Sequence, residues 1–287
     1  MGIFSRLFGK KANEPAAPNL GGKKPSIENN LSVMVLFAEV PTWDIAALEA
    51  DLRQRLGASM ANFNLFQSEQ GGMGGLEMGG DKVMIAQLGF PFPEQVLKPI
   101  LDVCHFSDEG KQAFFKSKCH VLVSYKGSGV EPVVAMNRMY QVVDALGQSQ
   151  QVIGVVNESA MTAHPWGMME MYRKDHQKLE PKAFPIGIWM LWTGGCVKYF
   201  IDSQHIWFVT KGNHQFGLPE LAFLGGPKDG NSTMEMYLPL FIYMYNFLVP
   251  GPGHTADMGA VKLRFSELTE YREVMEGKYG TLVVTKG

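Results

Sequence analysis

Cysteine is scarce in this chain: only Cys104, Cys119 and Cys196 occur among 287 residues. Three thiols, an odd number, cannot build a disulfide framework and suit a reducing compartment. Charge of one sign is not in excess either, since 26 Lys and Arg stand against 28 Asp and Glu and leave a net charge of −2. No overall field draws in nucleic acid or an anionic membrane, so no nucleic-acid partner is expected. Long apolar runs are missing too. The richest, Met236 to Val249, is interrupted by Pro239 and Asn246 and falls short of the roughly 20 apolar residues a membrane-spanning helix needs. It reads as a buried helix. The N-terminus lacks the apolar stretch and small-residue cleavage site of a signal peptide, and Arg6 stands where a myristoylation signal needs Ser or Thr. A cytoplasmic location is expected.

Catalytic signatures are also lacking. The glycine run Gly71 to Gly80 contains no G-x-x-x-x-G-K-[ST], and no G-x-G-x-x-G opens a helix after a strand, so it reads as a flexible loop. Neither H-E-x-x-H nor a G-x-S-x-G elbow occurs. Cys104-His105 and Cys119-His120 bring together zinc-ligating residue types, but neighbours on a strand point to opposite faces. No metal and no cofactor are expected; these cysteines read as buried and the histidines beside them as surface residues.

What is present is an orderly alternation of strand-like and helix-like hydrophobic periods. Met1 to Lys11 places Ile3, Phe4, Leu7 and Phe8 on one face beside Arg6, Lys10 and Lys11, the pattern of weak peripheral contact with the inner membrane. Ala12 to Asn30 reads as a linker. Strands are expected at Leu31 to Val40, Asn62 to Gln67, Lys82 to Leu88 and Cys119 to Tyr125. Helices are expected over Trp43 to Leu56 and Glu94 to Lys116. A helix over Val133 to Leu146, closed by Gly147 as a C-cap, leads to a second series. Its members are a strand at Gln151 to Val156, a helix at Pro165 to Lys178, and strands at Ile186 to Trp192 and His205 to Thr210. A helix follows from Ser232, where Ser232 and Glu235 read as a capping box. A strand at Ala260 to Phe265, a helix at Leu268 to Glu276 and a strand at Thr281 to Thr285 close the series. The fold class is α+β: after the tail of residues 1–30, two tandem β-α-β-β-α-β units of ferredoxin-like type, 31–128 and 129–287, pack as one pseudo-duplicated domain.

Two sets of residues are candidates for function. Glu158, His164, His205, His214 and Glu220 all fall near predicted element ends, and His164, His205 and Glu220 are the strongest acid–base set among them. The second set is the turn Phe216-Gly217-Leu218-Pro219-Glu220. There Gly217 is free to take positive φ, and Pro219 holds Leu218 extended, so the segment is suited to presentation for binding. The cluster Met161, Met168, Met169 and Met171, beside Trp166 and Tyr172, reads as core filling, with Met168, Met169 and Tyr172 forming one interior-facing stripe of the expected helix.

FGLPEL after a strand and TKG, with GPGHTADMGAVKLRFSE (Gly251 to Glu267) and GVVNESAMTAHP (Gly154 to Pro165), resembles the bacterial family called domain of unknown function 4261, mainly over residues 150–287. The resemblance implies no established activity. Related small α+β families occur as immunity or accessory proteins beside toxin and secretion systems. It therefore implies a non-catalytic protein whose partner is another protein. The alternative is a hydrolase-type enzyme that uses a His/Glu set in a cleft between the two halves.

Overall fold

Leu31, Val33 and Val35 alternate with Asn30, Ser32 and Met34, which are exposed or half-buried, and this period of two forms the first strand, β1 (Asn29–Phe37). The protein is described here by a computed structural model. It describes residues 29–68, 70–128, 130–169, 173, 198–201, 206–226, 228–257 and 261–287. The basic tail of residues 1–28, the expected strand at Ile186 to Trp192, and Met171, Tyr172, Cys196 and His205 lie outside the described residues. The fold is mixed α+β, with two sheets and, among the described residues, six α-helices. None of the described helices is long and apolar enough to cross a membrane.

Helix α1 (Ile45–Leu56) starts where the Asp44 carboxylate accepts the Ala47 N–H at 3.1 Å, satisfying one of the donors a helix start leaves open. Three strands follow, β2 (Met60–Ser68), β3 (Gly71–Met78) and β4 (Asp81–Leu88). Two short helices, α2 (Glu94–Asp102) and α3 (Asp108–Phe115), lead to β5 (Cys119–Gly127). Helix α4 (Pro132–Gly147) then precedes the hairpin β6 (Val152–Asn157) and β7 (Thr162–Pro165). These strands form one antiparallel sheet in the order β2-β3-β4-β5-β1-β6-β7.

The second sheet is built from β8 (Lys198–Ile201), β9 (Ile206–Val209), β10 (Glu220–Gly225), β11 (Thr255–Asp257), β12 (Lys262–Glu267) and β13 (Thr281–Lys286). Its order is β11-β12-β13-β10-β9-β8. Only β10 and β13 run parallel, because α5 (Gly230–Asn246), the β11–β12 hairpin and α6 (Arg272–Met275) intervene between them. One continuous core joins the two sheets. Leu52 of α1, with Met136, Met139 and Tyr140 of α4, packs on Val33, Val35 and Val123, and the cluster runs on to Phe216, Leu221 and Phe241. Helices α2 and α3 cover the opposite face at Leu36 and Val156.

Several expectations are corrected. The glycine run is a strand, not a loop. β3 pairs along its length with β2 and β4, and a Cβ at Gly74 would sit 2.1 Å from the Asn64 carbonyl oxygen, so the strands meet where no side chain fits. The single helix expected over Glu94 to Lys116 is two, separated at Val103 to Ser107, and Ser107 Oγ caps the second by accepting the Gly110 N–H. Gly147 does not cap α4 but ends inside it; a Cβ there would meet the Trp166 ring at 2.2 Å. Helix α5 starts after Asp229, and Ser232 instead donates to the Asp229 carbonyl, so the capping box is not formed. Pro165 ends strand β7 and does not start the expected helix; Met168 and Met169 are helical, and most of the rest of that helix lies outside the described residues.

The duplication expected from element order is not seen among the described residues. A split-βαβ unit places its first strand between the hairpin and the last strand; here β5 separates β1 from β4, and the second sheet has a different order.

His120 is not a surface residue. It is buried, edge-on to Phe90 and Phe92, with Nδ1 2.9 Å from the Phe90 carbonyl. Burial lowers its pKa below the ordinary 6.5, partly opposed by that hydrogen bond. The unfolded chain therefore takes up a proton there that the folded chain refuses. Stability falls as pH drops below about 6.5 and levels off beneath the folded value. Urea titrations at pH 7 and pH 5 are expected to show wild type losing more stability than His120→Phe. Equal losses would remove His120 from the acid limb.

Candidate functional site

The connection from β9 to β10 is the most tightly specified loop of the second sheet. The chain leaves Val209, crosses Thr210 and Lys211, and makes one 3₁₀ turn at Asn213–Phe216. Glycines bracket that turn, Gly212 at φ 122° and Gly217 at φ 72°, conformations that side-chain-bearing residues adopt rarely. Pro219 then delivers the chain to β10, whose first residue is Glu220.

The Glu220 side chain folds back into the mouth of this loop and is 1% exposed. One carboxylate oxygen accepts the Gly212 N–H at 2.9 Å and the His214 N–H at 3.4 Å. The other accepts the Thr210 hydroxyl at 2.6 Å and the Asn213 N–H at 3.3 Å. Successive backbone N–H groups aimed at one point form an anion-binding nest, here occupied by the chain's own carboxylate. Asn213 Nδ2 ties the nest together by donating to Thr210 Oγ1 and to the Pro219 carbonyl. Nearby, burial raises the Tyr237 pKa well above its usual value, and the Glu220 charge pushes the same way. Burial lowers the Lys211 pKa, while the Glu220 and Glu276 charges oppose that shift.

Glu220 also holds a histidine. His214 Nδ1 lies 3.0 Å from Glu220 Oε1, and His214 Nε2 lies 2.7 Å from Ser159 Oγ. A carboxylate that accepts every surrounding donor fixes the imidazole proton on Nδ1. Nε2 is then the bare nitrogen and accepts from the serine hydroxyl.

Ser159 comes from the other sheet, on the exposed turn between β6 and β7. Asn157 shapes that turn, its Oδ1 accepting the Ala160 N–H at 3.1 Å. The same side chain exchanges two hydrogen bonds with Gln215, Nδ2 to Oε1 at 3.3 Å and Gln215 Nε2 to Oδ1 at 3.1 Å. A buried pair of amides thus bolts the hairpin of one sheet to the 3₁₀ turn of the other. Ser159 and His214 open on a cavity of about 460 Å³ that Met161, Lys211, Lys278 and Tyr279 also line.

The expected site residues fall in three places. Glu220 and His214 are in this constellation. Glu158 is exposed on the turn beside it, and His164 lies on β7, its Nε2 3.0 Å from Thr162 Oγ1. His205 lies outside the described residues. Of the FGLPEL turn, Phe216 and Leu218 are each 2% exposed and Pro219 is buried, so these side chains pack inward. Phe216 meets Phe241 edge-on. Sequence reasoning missed Ser159, which no spacing marks, although it lies in the quoted segment Gly154 to Pro165 as Glu220 lies in FGLPEL.

Among known proteins no match is found: no family model, no curated protein and no solved structure is significantly similar to the chain.

Proposed function

We propose that the chain is a serine hydrolase acting on acyl esters or thioesters, with Ser159 as nucleophile, His214 as general base and acid, and Glu220 as the residue that orients the histidine. One observation carries this reading: the unbroken hydrogen-bond chain Ser159 Oγ to His214 Nε2, at 2.7 Å, and His214 Nδ1 to Glu220 Oε1, at 3.0 Å. Nucleophile and base within hydrogen-bond reach, with the base held by a third group, is the arrangement that activates a serine whatever the fold. The burial of Phe216 and Leu218 makes the FGLPEL turn a packing element rather than a presented loop, so the binding role rests on the absent motifs and the family resemblance alone, and the hydrolase reading uses His214 in place of the expected His164 and His205.

The chemistry follows from the geometry. Ser159 Oγ attacks the acyl carbon as its proton passes to His214 Nε2, and the imidazolium so formed faces the Glu220 carboxylate. The bond from the acyl carbon to the leaving oxygen or sulfur breaks, and the leaving group takes that proton. A water molecule, deprotonated by the same nitrogen, then attacks the acyl-serine, and the proton returns to Ser159 as the acid departs. Lys211 and Lys278 line the same cavity, with Lys211 Nζ donating to the Val274 carbonyl and Lys278 Nζ over the Tyr279 ring, and are the candidate cations for the negative oxygen of the tetrahedral intermediate.

The test is covalent labelling. A fluorophosphonate probe is expected to add to the folded protein once, with peptide mapping placing the adduct on Ser159 and Ser159→Ala unlabelled. A serine that merely bridges two loops does not react, so absence of an adduct, or an adduct on another residue, sinks the proposal.

A further inference from the structure

A second and larger cavity of about 640 Å³ adjoins the one in front of Ser159, and the two share Glu276 and Tyr279. Its walls are of different character. Phe216, Leu218, Met244, Phe247 and Leu268 give it an apolar side and Glu267, Arg272 and Glu276 a charged one, and Phe247 is 72% exposed. Such a volume lies within the range of small-molecule sites, roughly 300–1,000 Å³, and an apolar cavity beside a few convergent polar groups is their usual composition.

The partition between the cavities is built onto Glu220. It is the segment Glu276 to Gly280 between α6 and β13. Gly277 packs so closely on Glu220 that a Cβ there would meet Glu220 Cγ at 2.6 Å, and the Gly280 carbonyl accepts the Glu220 N–H at 3.0 Å. The FGLPEL turn does two jobs: Glu220 faces the reacting groups, while Phe216 and Leu218 reach the apolar cavity.

Resting on the hydrolase reading above, we infer that the substrate carries an unbranched apolar acyl chain, which this second cavity holds while its carbonyl carbon lies at Ser159. The apolar side of the cavity, continued by the exposed Phe247, suits a flexible hydrocarbon chain, and each methylene buried there tightens binding about fourfold. An acetyl ester leaves the cavity unused.

Two measurements on the full chain test this. In the first, Ser159→Ala is titrated with a fluorescent dodecanoic acid analogue, and straight-chain carboxylates from hexanoate to decanoate compete with it. Displacement is expected to strengthen about three- to fourfold per methylene and to weaken about tenfold in Ser159→Ala combined with Phe247→Asp, a change at an exposed position that leaves the fold in place. Displacement independent of chain length, or unaffected by Phe247→Asp, overturns the proposal. In the second, wild type is given monomeric p-nitrophenyl esters from acetate to decanoate and the same chains as phosphatidylcholine vesicles. Rising kcat/KM with chain length supports the inference, and the vesicle arm tells a lipid source from a soluble ester. Equal rates for acetate and decanoate overturn it while the hydrolase reading stands. Graded binding with no hydrolysis of any ester supports the acyl site and counts against the triad.

Discussion

Glutamine at position 220 is expected to lower turnover by about four orders of magnitude, and alanine there to lower stability by about 2–6 kcal/mol as well. Both follow from how the carboxylate is spent. One oxygen serves Gly212 N, His214 N and His214 Nδ1, and the other serves Thr210 Oγ1 and Asn213 N. An amide has a single acceptor oxygen. With its NH₂ toward His214, it donates to Nδ1 and moves the imidazole proton to Nε2, which then cannot take the Ser159 proton. With its NH₂ toward Thr210, it meets a hydroxyl that already accepts from Leu221 N and Asn213 Nδ2, and the Thr210 proton is left without its acceptor. Alanine strands the Gly212 and Asn213 N–H groups in a buried loop, each costing about 1–3 kcal/mol. The melting midpoint is then expected to fall by on the order of 10 °C. Turnover of an acyl ester and thermal unfolding of the two variants check this. Glu220→Gln retaining turnover within tenfold of wild type would remove the carboxylate from the mechanism.

Much of the first sheet is legible because its strands obey local rules. The alternation in β1, β4 and β5 matches their half-buried faces, and the apolar spacing Ile45, Leu48, Leu52 follows α1. The glycine strand is not legible. Gly72, Gly74 and Gly75 have no side chains to show a period of two and rank low in strand propensity. Their reason for being there is close approach to β2 and β4, a property of partners far along the chain. Topology fails in the same way. Element order in the first half reads as β-α-β-β-α-β once β3 is taken for a loop. Recognising β3 as a strand, and pairing β5 between β4 and β1, changes the fold class within α+β.

The site was half legible. Gly212, Gly217 and Pro219 announce a constrained turn, and constrained turns carry function often enough to single this one out. Which side chains it presents was not announced. Phe216 and Leu218 are the conspicuous residues and turn inward, while the groups of the proposed site are the plainer His214 and Glu220. Ser159 lies 55 residues from His214, on a hairpin whose sequence carries only the signals of a turn. Only the packing of one sheet against the other brings them together, and no motif spans such a join.

That join is where the second large effect is expected. Asn157 and Gln215 tie the hairpin to the 3₁₀ turn and in the proposed site act as positioning residues by fixing Ser159 against His214. Gln215→Ala is expected to lower kcat about 100-fold with KM little changed, since displacing a reacting group by about 1 Å costs that much. Asn157→Ala should do more, because it also deprives the Ala160 N–H of its acceptor. Stability behaves differently. Each single variant leaves its buried partner amide with unmet hydrogen bonds, at about 1–3 kcal/mol, whereas the double variant leaves no such partner and regains part of that loss. Turnover does not return with it, because no amide bridge then ties the hairpin to the 3₁₀ turn. A double-mutant cycle read in both unfolding free energy and kcat separates the two roles. If kcat recovers in parallel with stability, the amide pair serves folding alone and the serine owes its place to something else.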